Sequence, residues 1–212
     1  MISTSLSLPA AHCRLSCTMR ILGPIVRLQI QRSRLKTGEK PNRRYDPAPI
    51  LSLDRLRLGP DGSVGVVDGR EFLDVHHRAH PETRNDRPEK GLSVGFTGHY
   101  AEMRERYGEH LSVGCAGENI IVETDRRVPL SEVEAGLVIL SPDGKERVRL
   151  TQVGVAHPCK PFSGFAHRQE TVEPETLKAT LQFMDDGMRG FRCVPETSGQ
   201  VEIRVGDLLA VV

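Results

Sequence analysis

The sequence predicts a mostly-β domain whose sheet is curled or closed into a barrel, with a few short helices. Three observations predict it. Apolar and polar residues alternate over several short stretches, glycine-rich turns separate those stretches, and only two segments carry a helical period. At 212 residues the chain is long enough for one full domain and too short for two ordinary ones with linkers.

Residues 1–20 hold serine, threonine and two arginines but no acidic residue, and are expected to be a disordered tail before a domain over 21–212. The alternatives are a transit peptide, or an upstream start codon with Met19 as the true beginning. From Val26 to Gln31 the residues alternate, with Val26, Leu28 and Ile30 on one face and Arg27, Gln29 and Gln31 on the other. That pattern is a strand with one buried face. Arg32 to Asp46 reads as a surface loop, Leu51 to Leu58 as a short strand closed by the Gly59-Pro60-Asp61-Gly62 turn, and Val64 to Val67 as the next strand. Asp74 to Lys90 is rich in histidine and proline and reads as a long loop.

A helix is predicted over Gly98 to Tyr107, capped by Thr97 and ended by Gly108, with Tyr100, Met103 and Tyr107 on one face. A second runs from Pro174 to Asp186, with Leu177, Leu181 and Met184 on one face and Gly187 stopping it. Strands are expected over Asn119 to Val122, Leu137 to Leu140 and Arg147 to Val155. In the last of these the apolar parity slips from Val148 and Leu150 to Val153 and Val155, which predicts a bulge. Val201 to Val205 and Leu208 to Val212 read as the two arms of a hairpin joined by Gly206-Asp207.

Composition narrows the function. Hydrophobic residues make up 38% and charged residues 27%, the balance of a water-soluble domain. The formal net charge is +1 and there is no tryptophan, so neither a polyanion surface nor a base-stacking platform is indicated; no nucleic-acid partner is expected. No apolar run is long enough to cross a bilayer, so no membrane role is expected. Five scattered cysteines, Cys13, Cys17, Cys115, Cys159 and Cys193, fit a reducing compartment better than a disulfide framework, and a cytoplasmic location is expected.

Three segments bear on chemistry. In Thr151 to Phe162 a strand runs into a proline-flanked turn that presents a single cysteine, Cys159. His157 and Lys160 are near enough in sequence to favour its thiolate, which can act as nucleophile, persulfide carrier or ligand to a soft metal. In Gly114 to Glu123 two glycines allow close backbone approach, and Glu118 and Asn119 stand where a loop runs into a strand. Gly199 to Leu209, taken alone, is a structural hairpin. A rival site is the loop carrying His76, His77 and His80, with Asp74 and Glu82 nearby, a composition that can bind zinc or iron.

In this order the three segments resemble the MOSC domain, named for the C-terminal part of molybdenum cofactor sulfurase. The matching features are Gly-x-x-Gly-Glu-Asn at Gly114 to Asn119, the pair Pro158-Cys159, and Gly199 to Asp207 near the end. The stretch Asp74 to Tyr107 is similar to a stand-alone form of the family. The resemblance implies a β-barrel that binds the molybdenum cofactor (molybdopterin), with Cys159 as catalytic cysteine and molybdenum ligand. Lys160, Asn119, Glu118, Arg189 and Arg192 are the implied cofactor-binding residues, and Arg168 is a further cationic candidate. The implied activity is an oxidoreductase acting on a small molecule, such as an N-hydroxylated compound, with an electron-donor protein as partner. The alternative it leaves open is a non-catalytic sulfur carrier, loaded by a sulfur-donor protein and holding a persulfide on Cys159. Pyridoxal phosphate belongs to the wider family, and no lysine here is set up for a Schiff base.

Overall fold

The computed structural model describes residues 19–84 and 91–212. The expectations for the N-terminal tail, Cys13 and Cys17, and the end of the 74–90 loop fall outside these residues, wholly or in part. Fourteen strands and four helices follow one another as β1 (Arg20–Gln31), β2 (Lys36–Thr37), β3 (Arg44–Tyr45), β4 (Ile50–Leu53), β5 (Arg55–Gly59), β6 (Gly62–Val67), β7 (Arg70–Leu73), β8 (Leu92–Phe96), α1 (Thr97–Tyr107), β9 (Ile120–Val122), α2 (Leu130–Val133), β10 (Leu137–Leu140), β11 (Glu146–Val155), α3 (Lys160–His167), α4 (Pro174–Met184), β12 (Phe191–Glu196), β13 (Val201–Arg204) and β14 (Leu208–Val211).

The main sheet runs β14-β10-β11-β12-β8-β9-β1-β4, and β1 also pairs with β14. Seven strands therefore close into a barrel, with β4 attached to β1 outside the ring. Every pairing in it is antiparallel except β8 with β9. A second sheet, β13-β5-β6-β7, packs beside the barrel, and β2 with β3 makes a small ribbon in the 32–46 loop.

Closure depends on bent strands, and the bends are visible as register shifts. In β11 the register with β12 slips between Thr151 and Gly154, where Gln152 takes φ +52°; this is the bulge that the parity change predicts. β1 is bulged too, between Ile25 and Arg27, so Ile25 fills the core while Val26, expected on the inner face, is exposed. Leu28 and Ile30 then point inward as expected.

β9 shows how the barrel wall carries two cores. Ile120 and Val122 face the barrel interior with Leu28, Val94, Leu150 and Phe191, while Ile121 faces outward into a second apolar cluster. That cluster is roofed by α1, α3 and α4 and holds Tyr45, Tyr100, Met103, Phe162, Met184 and Met188. At the 25 cal/mol per Å² typical of apolar burial, a fully buried phenylalanine such as Phe162 or Phe191 contributes about 2 kcal/mol.

Several expectations are corrected. Leu51 to Leu58 is two strands, β4 and β5, broken at Asp54. Thr97 is the first residue of α1 rather than its cap, and its hydroxyl donates to the Thr124 carbonyl at 2.8 Å. β13 and β14 do not pair with each other: β13 joins β5 and β14 joins β1 and β10, so Gly206-Asp207 is a corner between sheets. Asp207, 1% exposed, fixes that corner through Arg147 at 2.7 Å and the Arg204 amide at 2.8 Å. Among the described residues no helix is long and apolar enough to cross a membrane.

Candidate functional site

The loop before β9 supplies the floor of the site. Gly114 and Gly117 have φ +86° and +92°, and a Cβ on either would lie 2.5 or 2.7 Å from the Gln29 or Gln31 side chain. Those glutamines reach out from β1, donating to the Gly114 and Gly117 carbonyls at 2.7 Å each. Glycine is therefore required on both counts, conformation and space. The turn delivers Glu118 into the second cluster, where it is 3% exposed and accepts a 2.6 Å hydrogen bond at Oε2 from the Tyr100 hydroxyl. Burial, opposed by Arg189 and Tyr100, pushes the Glu118 carboxyl above its usual range. Its Oε1 is buried with no hydrogen-bond partner among the described residues.

Arg189, in the link between α4 and β12, lies across from it. The guanidinium stacks on the Phe162 ring at 3.6 Å and donates from Nη2 to the Ala116 carbonyl at 2.9 Å. Its Nε and Nη1 are buried and have no hydrogen-bond partner among the described residues. Burial works against this charge, but Tyr45, Glu118 and Cys159 around it hold the guanidinium more firmly protonated than usual. The next residue, Gly190 (φ +79°), lets the chain pass β8 closely, since a Cβ there would stand 2.3 Å from the Val94 carbonyl oxygen.

Cys159 is half-buried and packs against the same apolar cluster. It is the N-cap of α3, with Pro161 in the first turn, and its carbonyl accepts from the Ser163 amide at 3.0 Å. The structure makes this segment a helix start where the sequence predicts a turn, and a proline two residues past the cysteine is equally the mark of a helix start. The other described cysteines are poor thiolate sources, since burial pushes Cys115 and Cys193 up to about 12 each. Tyr45, likewise raised by burial, closes the cluster by donating to the Cys115 carbonyl at 2.9 Å.

A cavity of about 800 Å³ opens onto Glu118 and Arg189, and Arg34, Lys36, Arg43, Arg84 and Arg192 also line it. Six cationic side chains thus face two carboxylates, Glu39 and Glu118. Of the cofactor-binding residues that the resemblance implies, the structure brings Glu118, Arg189 and Arg192 together here. Lys160 and Arg168 line a second cavity instead, and Cys159 lines neither, although Ala156 and His157 just before it line the first. Asn119 lines neither: its side chain accepts from the Ser93 amide at 3.0 Å and donates to the Asp74 carboxylate at 3.1 Å and the Gln29 carbonyl at 3.3 Å, tying strands together. His157 is exposed and pairs with Asp185 at 3.0 Å rather than with the thiol. Tyr45, Tyr100 and Phe162 were not singled out as site residues by the sequence, which has no local pattern marking them as neighbours of Cys159.

The histidine loop is built differently from a metal site. His76 pairs with Asp74 at 2.8 Å, while His77 and His80 each accept a backbone amide two residues on, at 3.1 Å. Among the described residues no group of three or more histidine, cysteine or carboxylate side chains is placed to hold a metal ion. Asp74, fully buried, instead latches the loop to the β1 amide of Gln31 at 2.8 Å.

The family model for the MOSC domain matches residues 80–210. The chain belongs to the MOSC domain family. This MOSC protein is also similar in fold to the YuaD protein of Bacillus subtilis, at 14% identity and a TM-score of 0.55, covering 91% of this chain and 97% of that one. A crystal structure of a hypothetical protein matches at 13% identity and a TM-score of 0.52, over 91% of this chain and 69% of the other. YiiM from Geobacillus stearothermophilus is a looser match, 16% identical with a TM-score of 0.48, over 92% and 76% of the two chains. No curated protein gives a significant match.

Proposed function

We propose that this MOSC protein binds the molybdenum cofactor in the large cavity, with the Cys159 thiolate as the protein's ligand to the metal. The observation that carries the proposal is Arg189: a buried guanidinium beside Cys159 with two donors that no described residue accepts. Leaving a buried charged donor unpaired costs about 1–3 kcal/mol each, so such a pair is retained where an anion completes it. The residues fit the group. A pterin carrying a phosphate and a dithiolene is a flat polar anion, and a cavity of about 800 Å³ with six cations suits it in size and charge. Arg189 and Arg192 would meet the anionic end, and the free Oε1 of Glu118 would meet the heterocycle. Because the cofactor brings its own sulfur ligands, one protein thiolate is enough. When bound, the group supplies a centre able to exchange two electrons with a small-molecule substrate such as an N-hydroxylated compound, with a partner protein as electron source. The chain's own part is to fix the Cys159 sulfur at the start of α3, hold Arg189 positive, and make Glu118 keep its proton more tightly than an exposed carboxyl does.

A second reading is a sulfur carrier. Cys159 stands at the N-cap of α3, half-buried and next to the exposed Lys160 and His157. There the Cys159 thiolate would take the outer sulfur of a donor's persulfide and release the donor's thiolate. Elemental analysis separates the readings. Protein made in a cofactor-producing host should hold molybdenum near one atom per chain, and Cys159→Ser should hold markedly less while staying folded. Absence of molybdenum from both, with a one-sulfur mass increment on Cys159 after exposure to a cysteine desulfurase, would replace the first reading by the second.

A further inference from the structure

The residues before Cys159, Ala156 and His157, line the large cavity; those after it, Lys160 and Pro161, line a second cavity of about 450 Å³. The two share Arg43 and Tyr45 as a common wall. We propose that this second cavity is a binding site for a small aromatic carboxylate, on the far side of the Cys159 segment from the large cavity. The inference goes beyond the reading of Cys159 as the reactive centre by naming the class of molecule that approaches from this side.

Two features of the wall support that class. One side is aromatic: the Phe165 ring lies 5.4 Å from that of Tyr45 and 5.6 Å from that of His110, centroid to centroid. Phe165 and Tyr45 are packed in the same apolar cluster as Cys159, so a flat ring resting there would lie on aromatic surface continuous with that cluster. The other side is cationic. Arg44 is neutralised by Glu170 at 2.6 Å, but Arg43, Lys160 and Arg168 have no carboxylate partner among the described residues. Arg43 also has a buried Nε with no hydrogen-bond partner among them. Arg168 is set at the mouth by a left-handed backbone (φ +54°) as the C-cap of α3. Guanidinium groups pair with planar carboxylates by two parallel hydrogen bonds, which an uncharged amide or a phenol does not reproduce. A ring-bearing slot with a cationic rim therefore selects a planar anion, and its volume readily admits a single-ring compound.

Isothermal titration of the purified full-length chain with benzoate tests this, using benzamide and cyclohexanecarboxylate as the uncharged and non-planar comparisons. Benzoate should bind saturably, and both comparisons about tenfold or more weakly. The double variant Lys160→Gln/Arg168→Gln, at two exposed positions, should lose about tenfold in benzoate affinity, and Phe165→Leu a similar factor. Molybdenum content, read on the same samples, should be unchanged by the double variant. The proposal is overturned if no saturable binding occurs up to about 10 mM, the weak end of specific affinity, or if the double variant binds benzoate as the wild type does. It is overturned equally if the double variant loses its molybdenum, since the second cavity would then be part of the cofactor site. Failure of the cofactor reading shows separately, as wild-type protein without molybdenum that still binds benzoate.

Discussion

Arg189→Met should leave the fold about as stable as before while emptying the large cavity of its anion. The substitution removes a cation stacked on Phe162 at 3.6 Å, a contact of about 2 kcal/mol when desolvated. It also removes one charge-assisted hydrogen bond to the Ala116 carbonyl, about 2 kcal/mol. Against these, it relieves two buried donors without partners, at about 1–3 kcal/mol each, and methionine keeps an unbranched apolar stem over the Phe162 ring. The opposing contributions are of equal size, so the net change should lie within about 2 kcal/mol of zero. For a chain of this length that is a shift of no more than about 8 °C in Tm, in either direction. The assay is thermal unfolding by circular dichroism on protein prepared without the cofactor, beside molybdenum analysis of protein made with it. A loss of more than about 4 kcal/mol would refute the reasoning, because it would mean that the donors are satisfied within the fold and Arg189 is structural. Full retention of molybdenum would refute it from the other side.

Two further predictions concern buried titrating groups. Burial raises the folded-state value of Glu118 above the ordinary 4.5, so the native state holds this proton more tightly than the unfolded chain does. Its contribution is fully present below 4.5 and is lost as pH rises through the folded value; Glu118→Gln, which keeps the Tyr100 contact, should flatten that slope in urea titrations run across this range. A wild-type slope retained by the variant would contradict the assignment. His99 has the opposite sign: burial lowers it to about 4 from 6.5, and its Nε2 accepts the Val128 amide at 2.9 Å. Stability should therefore fall by about 3 kcal/mol as pH drops from 6.5 to about 4, and His99→Gln should remove most of that fall. An unchanged acid transition in the variant would count against it.

The parts of the fold legible in the sequence are those where a local rule and the tertiary outcome agree. The parity slip in β11 becomes the Gln152 bulge because a strand closing a barrel must bend, and the chain marks the bend by changing which residues are apolar. Gly108 ends α1 for the same local reason that any helix stops at glycine. Where pairing is decided by distant strands, local rules mislead. Two strands flanking Gly206-Asp207 have the look of a hairpin, yet β5 outcompetes β14 as partner for β13. β12 escapes notice because it contains Pro195, which argues against a strand by local rules, and because Val194 on its less buried face is apolar, which blurs the alternation of Phe191, Cys193 and Pro195 with their neighbours. In the site, Cys159 is legible from its proline-flanked setting, and Glu118 from the glycines before it. Arg189 has no motif; its meaning comes from the ring below it and the acceptors it lacks. Lys160 illustrates the converse. It adjoins Cys159 in sequence, but α3 turns it into the other cavity.

X-ray absorption at the molybdenum edge, on loaded wild-type protein and on Cys159→Ser loaded by the same route, tests the central claim most directly. The account predicts one sulfur ligand more in the wild type than in the variant, with the variant holding less metal. An equal sulfur count in the two proteins would contradict Cys159 as the ligand, whatever else the cavity binds.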